Sequence, residues 1–138
     1  MDADKYLGQL RVFSRLIAMK RREAEMWRNV ALGSASGMDA DRVQASPNQD
    51  RMADAVSRAM DYEKAAEALT RQLINLQHEI VEKLDNMPTT DYGILLSDYY
   101  VHGMTVQEIA AEWNYSWRHI QRMKVDALKE FAEKYGES

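Results

Sequence analysis

The chain has no cysteine. Neither a disulfide framework nor a thiolate metal site is therefore open to it, and nothing asks for an oxidising compartment. It has only two prolines and six glycines in 138 residues, and these are the residue types that break helices. With 46% apolar and 29% charged residues, the composition excludes wholesale disorder and predicts an all-α fold. Long apolar runs are missing too. The opening MDADKYLGQLRVFSRLIAMK starts with acids and mixes charges throughout, so neither a secretory signal nor a membrane span is expected, and the predicted location is cytoplasmic. No phosphate-cradling Gly-x-x-x-x-Gly-Lys loop, nucleophile elbow or zinc-ligand spacing occurs. The chain is read as not an enzyme and as needing no cofactor, with His78 and His102 as polar surface. An excess of positive charge is also lacking. The net charge is −4, and residues 89–138 carry 5 basic against 8 acidic side chains, so any surface for nucleic acid must be a local face.

The apolar residues that are present recur with a helical period. Leu10, Phe13, Ile17, Ala24 and Trp27 form a stripe on a first helix over about residues 4–32. The small and polar residues of 33–46 predict a mobile loop. Ser46, Pro47 and Gln49 then read as a cap, a first helical position and a capping-box partner. From there Met52, Ala55, Ala59, Tyr62, Ala66, Leu69, Leu73, Leu76 and Ile80 make a coiled-coil a/d series. A helix over 47–86 spans roughly 60 Å against roughly 43 Å for the first. Folded back as an antiparallel hairpin, the first helix leaves part of that seam to be covered by the C-terminal segment or by a second copy, so a homo-oligomer through the hairpin is expected. From Lys5 to Arg28 the first helix carries seven basic residues against Glu23 and Glu25. Pairing with Asp54, Asp61, Glu63 and Glu67 on the facing helix is the reading preferred over contact with DNA or an acidic partner.

Pro88 predicts the end of the second helix and a domain boundary, giving a hairpin in 1–87 and a second domain in 88–134. Thr89 or Thr90 is placed to cap a helix that carries Ile94, Leu95, Leu96, Tyr99 and Tyr100 and stops at His102 and Gly103. Thr105 and Glu108 form a capping box for another helix, with Ile109, Ala110 and Trp113 on one face. Asn114 and Tyr115 break it, Ser116 caps again, and a last helix begins at Trp117 with Ile120, Met123, Ala127, Leu128 and Phe131 as its buried stripe. Arg118, His119, Gln121, Arg122 and Val125 remain outward or flanking, and these polar types reach base edges and phosphates. The spacing of Arg118 and Arg122 equally suits a solvated face pairing with Glu112 or Asp126. Trp113 is predicted to be core. Trp117 is open between contact with nucleic acid and packing within the chain.

The stretch MTVQEIAAEWNYSWRHIQRMKVDAL resembles the helix-turn-helix of sigma factor region four. It is more closely similar to the ArpU-like late-gene transcription regulators of phages and prophages. The shared run here is Tyr115, Ser116, Arg118, Ile120, Arg122, Ala127 and Leu128, after Ile109 and Ala110, and the likeness spans residues 87–131. The chain departs from the pattern at Trp117 and in the alternation of Asp126, Glu130 and Glu133 with Lys124, Lys129 and Lys134. The resemblance implies sequence-specific binding of double-stranded DNA in a bacterial host cell. It places the helix from Trp117 in a major groove, Arg118, Gln121 and Arg122 toward bases or phosphates, Ser116 and its neighbouring amides at a phosphate, and Lys124 on the backbone. By residue type alone, His119 is suited to donate to a phosphate and an outward Trp117 indole to stack on a sugar or wedge at the groove edge. Two other readings are carried beside it: a protein that binds RNA polymerase or a sigma factor without reading DNA, and a subunit similar to the small subunit of a phage DNA-packaging terminase.

Overall fold

The structure, a computed structural model, describes residues 1–36 and 45–136. It is all-helical, with no strand among the described residues. Helix α1 runs Ala3–Ser36, α2 Ala45–Asp85, α3 Thr90–Leu96, α4 Val106–Trp113 and α5 Trp117–Tyr135, and a π-helical turn, Ser97–Val101, continues α3. None of the described helices is long and apolar enough to cross a membrane. The helices begin and end where local chemistry allows. Asp2 accepts the Lys5 amide at 3.0 Å ahead of α1, supplying one of the partners that the first turn of a helix lacks. Asn114 closes α4 with φ 60° and ψ 40°, the left-handed conformation that asparagine tolerates better than most side chains.

Two helix ends differ from the expected loop at 33–46. Helix α1 continues through Gly33 to Ser36, and α2 opens at Ala45. The small residues that suggested a break carry no steric bar to the helix; glycine there costs only about 1 kcal/mol relative to alanine. Ser46 thus lies inside α2 and is not its cap. Pro47 falls in the first turn, where its missing amide hydrogen has no partner to lose. The remainder of the expected loop, 37–44, lies outside the described residues.

The chain divides into two compact units, Met1–Phe13 with Leu73–Ser138 and Ser14–Gln72. In the second, Ile17, Ala24 and Ala31 of α1 and Ala55, Ala59 and Ala66 of α2 are buried. The Arg58 guanidinium lies 5.0 Å from the Trp27 ring centre and the Lys20 ammonium 5.5 Å from that of Tyr62, so residue numbers fall along α2 as they rise along α1. Arg28 donates twice to Glu63, at 2.7 and 3.0 Å. Asp54 pairs instead with Arg58 of its own helix at 2.9 Å, because one turn separates the two along a single face. Both ion pairs are substantially exposed, and such pairs contribute little to stability. Met52, the first member of the expected seam, stays exposed. The last buried side chain of α1 among those described is Ala31.

The first unit has two apolar clusters. One joins Ala3, Leu7 and Leu10 of α1, Ile80 and Leu84 of α2, Met87, Leu96, Tyr100, and Ala127 and Phe131 of α5. The other joins Leu95, Val106, Ile109, Ala110 and Ile120. Pro88 therefore ends a helix without ending a core, since Leu84 and Met87 before it pack with Leu96 and Phe131 after it. The end of the α2 seam, Ile80, is covered by C-terminal residues of the same chain. Leu95 and Leu96 supply one cluster each, whereas Ile94 is exposed; a short helix between two cores has a third side that faces water.

Candidate nucleic-acid interface

Helices α4 and α5 are joined by three residues, Asn114, Tyr115 and Ser116. Both helix starts carry the caps read from their residue types. At α4 the Thr105 hydroxyl accepts the Glu108 amide at 3.1 Å and the Glu108 carboxylate accepts the Thr105 amide at 2.8 Å. These bonds hold the Glu108 carboxyl below the usual carboxylate range. At α5 the Ser116 hydroxyl oxygen accepts the His119 amide at 3.2 Å. Ser116 thus orders the first turn of α5. The remaining first-turn amides, with the positive end of the helix dipole, form the part of this terminus suited to an anion.

Burial sorts the faces of α5. Ile120, Ala127 and Phe131 are fully buried and Met123 and Leu128 half-buried, while Arg118, Gln121, Arg122 and Val125 are exposed. Neither Arg118 nor Arg122 has an ion-pair partner among the described residues, so the expected alternative of pairing with Glu112 or Asp126 is not formed. The two guanidinium groups, four residues apart on one side of the helix, are open to a phosphate or a guanine edge. Trp117 is 49% exposed, with the Arg118 guanidinium 5.9 Å from its ring centre. Trp113, by contrast, is half-buried against the second cluster.

His119 is half-buried, its ring 4.4 Å from that of Tyr115. Tyr115 is 48% exposed, and its ring also lies 6.4 Å from that of Trp113. Lys124 is held differently from the other outward cations. Its ammonium sits 3.9 Å from the Tyr99 ring centre, and Arg11 of α1 lies 4.1 Å from the same ring and donates to the Tyr99 carbonyl at 2.9 Å. The adjacent Arg11 guanidinium and the Lys124 charge hold the Tyr99 phenol below the ordinary tyrosine value, against the opposing effect of burial. The Tyr100 hydroxyl donates to Asp4, and burial first, then that carboxylate, pushes its phenol upward. Arg11 lies far from α5 in sequence, and its approach to Tyr99 has no local signal.

Helix α5 is braced from behind. Glu130 accepts both the Thr89 hydroxyl at 2.7 Å and the Thr89 amide at 3.1 Å. Thr89 occupies the cap position of α3 without a side-chain capping bond; its hydroxyl donates to Glu130 instead. The Tyr135 hydroxyl donates to the Lys83 carbonyl at 2.7 Å. These bonds tie α5 to the α2–α3 junction, leaving its Arg118, Gln121 and Arg122 face clear on a supported element. Comparison of the chain with protein-family models, curated proteins and solved structures finds no match.

Proposed function

We propose that the chain is a sequence-specific double-stranded DNA-binding transcriptional regulator, of the phage or prophage type that its α4–turn–α5 stretch resembles. In this reading a helical hairpin formed by α1 and α2 carries a helix-turn-helix in which α5 enters the major groove. The observation that carries it is the exposed face of α5: Arg118, Gln121 and Arg122 are exposed, with neither arginine paired to a carboxylate among the described residues, at the start of a helix set by a three-residue turn. Arg118 and Arg122 act on bases or phosphates, Gln121 on a base edge, and the first-turn amides of α5 on a phosphate. Trp117 and Tyr115 rest on the sugar edge of the groove. Lys124, seated over Tyr99, contributes positive potential beside the backbone.

Selection of bound sequences from a random duplex pool, followed by titration at several salt concentrations, tests this reading. A recovered motif is expected, with affinity that falls as salt rises, because phosphate contacts release counterions. Arg122→Ala is expected to weaken the selected site by about 1–3 kcal/mol and to relax one base position if Arg122 reads a base. A uniform loss with a shallower salt slope assigns Arg122 to a phosphate instead. The absence of both enrichment and salt-sensitive binding overturns the proposal. The acidic balance of residues 89–138, 5 basic against 8 acidic, then favours a protein that docks on RNA polymerase or a sigma factor.

A further inference from the structure

Helix α1 carries a second apolar stripe besides the one it buries. Val12, Leu16, Met19, Met26 and Val30 each keep 37–53% of their surface exposed. With half-buried Glu23 between Met19 and Met26, they fall at steps of 4, 3, 4, 3 and 4 residues. That is an a/d seam sustained over most of α1, on a side where α2 buries none of its members. The seam also matches itself when reversed. About a centre at residue 21, position 12 stands opposite 30, 16 opposite 26, and 19 opposite 23, which sets each a position against a d position, as an antiparallel pair requires.

We propose that α1 pairs along this stripe with α1 of a second copy, antiparallel and two-fold symmetric about residue 21. Such an interface is isologous, since each contact recurs with the roles of the two copies exchanged. Glu23 selects against the parallel alternative. A parallel pair would press Glu23 against the second copy's Glu23 inside the seam, like charge on like. The antiparallel pair instead sets Glu23 opposite the second copy's Met19. It gathers two Glu23 and two exposed Arg22 side chains around the axis, each Glu23 about three residues, or roughly 4.5 Å along the helix, from the second copy's Arg22. A shallow groove on the same face is lined by Arg22, Glu25, Met26, Asn29 and Val30, and the pairing seats the second copy's Leu16 and Val12 there. This surface differs from the α2 seam, and the proposal does not rest on the DNA-binding reading.

Sedimentation of the full chain without DNA tests it, together with cross-linking of introduced cysteines, which have no native cysteine to compete with. The wild type is expected to be a dimer. Met19→Glu sets acid against acid and is expected to raise the dimer dissociation constant at least tenfold with unchanged helical circular dichroism; adding Glu23→Lys is expected to restore pairing. Leu16→Cys alone and Met26→Cys alone are expected to form no dimer disulfide, because like positions lie about 15 Å apart along the axis, beyond the roughly 4.4–6.8 Å between Cα atoms that a disulfide spans. An equal mixture of the two variants is expected to form one. A monomeric wild type, a Leu16→Cys homodisulfide, or a Met19→Glu dimer as tight as the wild type overturns the proposal.

Discussion

Phe131→Ala is expected to lower the unfolding free energy by about 3–5 kcal/mol, the range for removing a buried phenylalanine. Phe131 has no exposed surface. Its ring lies 5.8 Å from that of Tyr6 and 4.8 Å from that of Tyr135, in the cluster that also holds Leu7, Leu10, Ile80, Leu84 and Leu96. Truncation therefore empties a space walled by α1, α2, α3 and α5 together. Neighbouring side chains relax only partly into such a space, because the interior is close-packed. Urea denaturation followed by circular dichroism measures the loss, and a parallel shift in urea midpoint without a change of slope identifies it as stability. A loss below about 1 kcal/mol would mean that α5 does not pack on the two long helices as described.

Gly93→Ala is expected to destabilise by about 1–3 kcal/mol, opposite in sign to the ordinary gain of about 1 kcal/mol when alanine replaces glycine inside a helix. A Cβ at position 93 would stand 2.5 Å from the Leu84 carbonyl oxygen and 3.7 Å from the Met87 Cβ. The obstructing atom is backbone and cannot rotate aside, so α3 must move off the end of α2, with Leu95 and Leu96 drawn from both clusters. Thermal unfolding of this variant beside the wild type decides the sign. A raised midpoint would show that α3 does not rest on α2 at this point.

The parts of the fold that sequence reasoning reached are those whose causes are local. Thr105 and Glu108 lie three residues apart and satisfy each other's amides whatever surrounds them. Ser116 behaves in the same way with His119, and Pro88 stops α2 through its own ring. The stripe Ile120, Ala127 and Phe131 follows from helical period alone. The missed points have distant causes. Thr89 looks like a side-chain cap, yet its hydroxyl goes to Glu130, 41 residues away. Lys124 looks like a free cation on α5, yet its ammonium rests on Tyr99. Residues 33–36 look like loop because small residues are common in loops, but the α1 backbone continues through them.

Composition and spacing by themselves determined that this chain is helical, where α4 and α5 begin, and which side of α5 is apolar, because caps and helical period act within a few residues. Tertiary structure alone decided that α1 and α2 share a core with the C-terminal helices, that Gly93 is a contact point, and that Arg118 and Arg122 remain unpaired by the described carboxylates while Lys124 is anchored. It also decided which stripe of α1 is buried and which is free. Each of these depends on groups far apart in the chain, and only packing establishes which of several equally apolar or equally charged side chains meet.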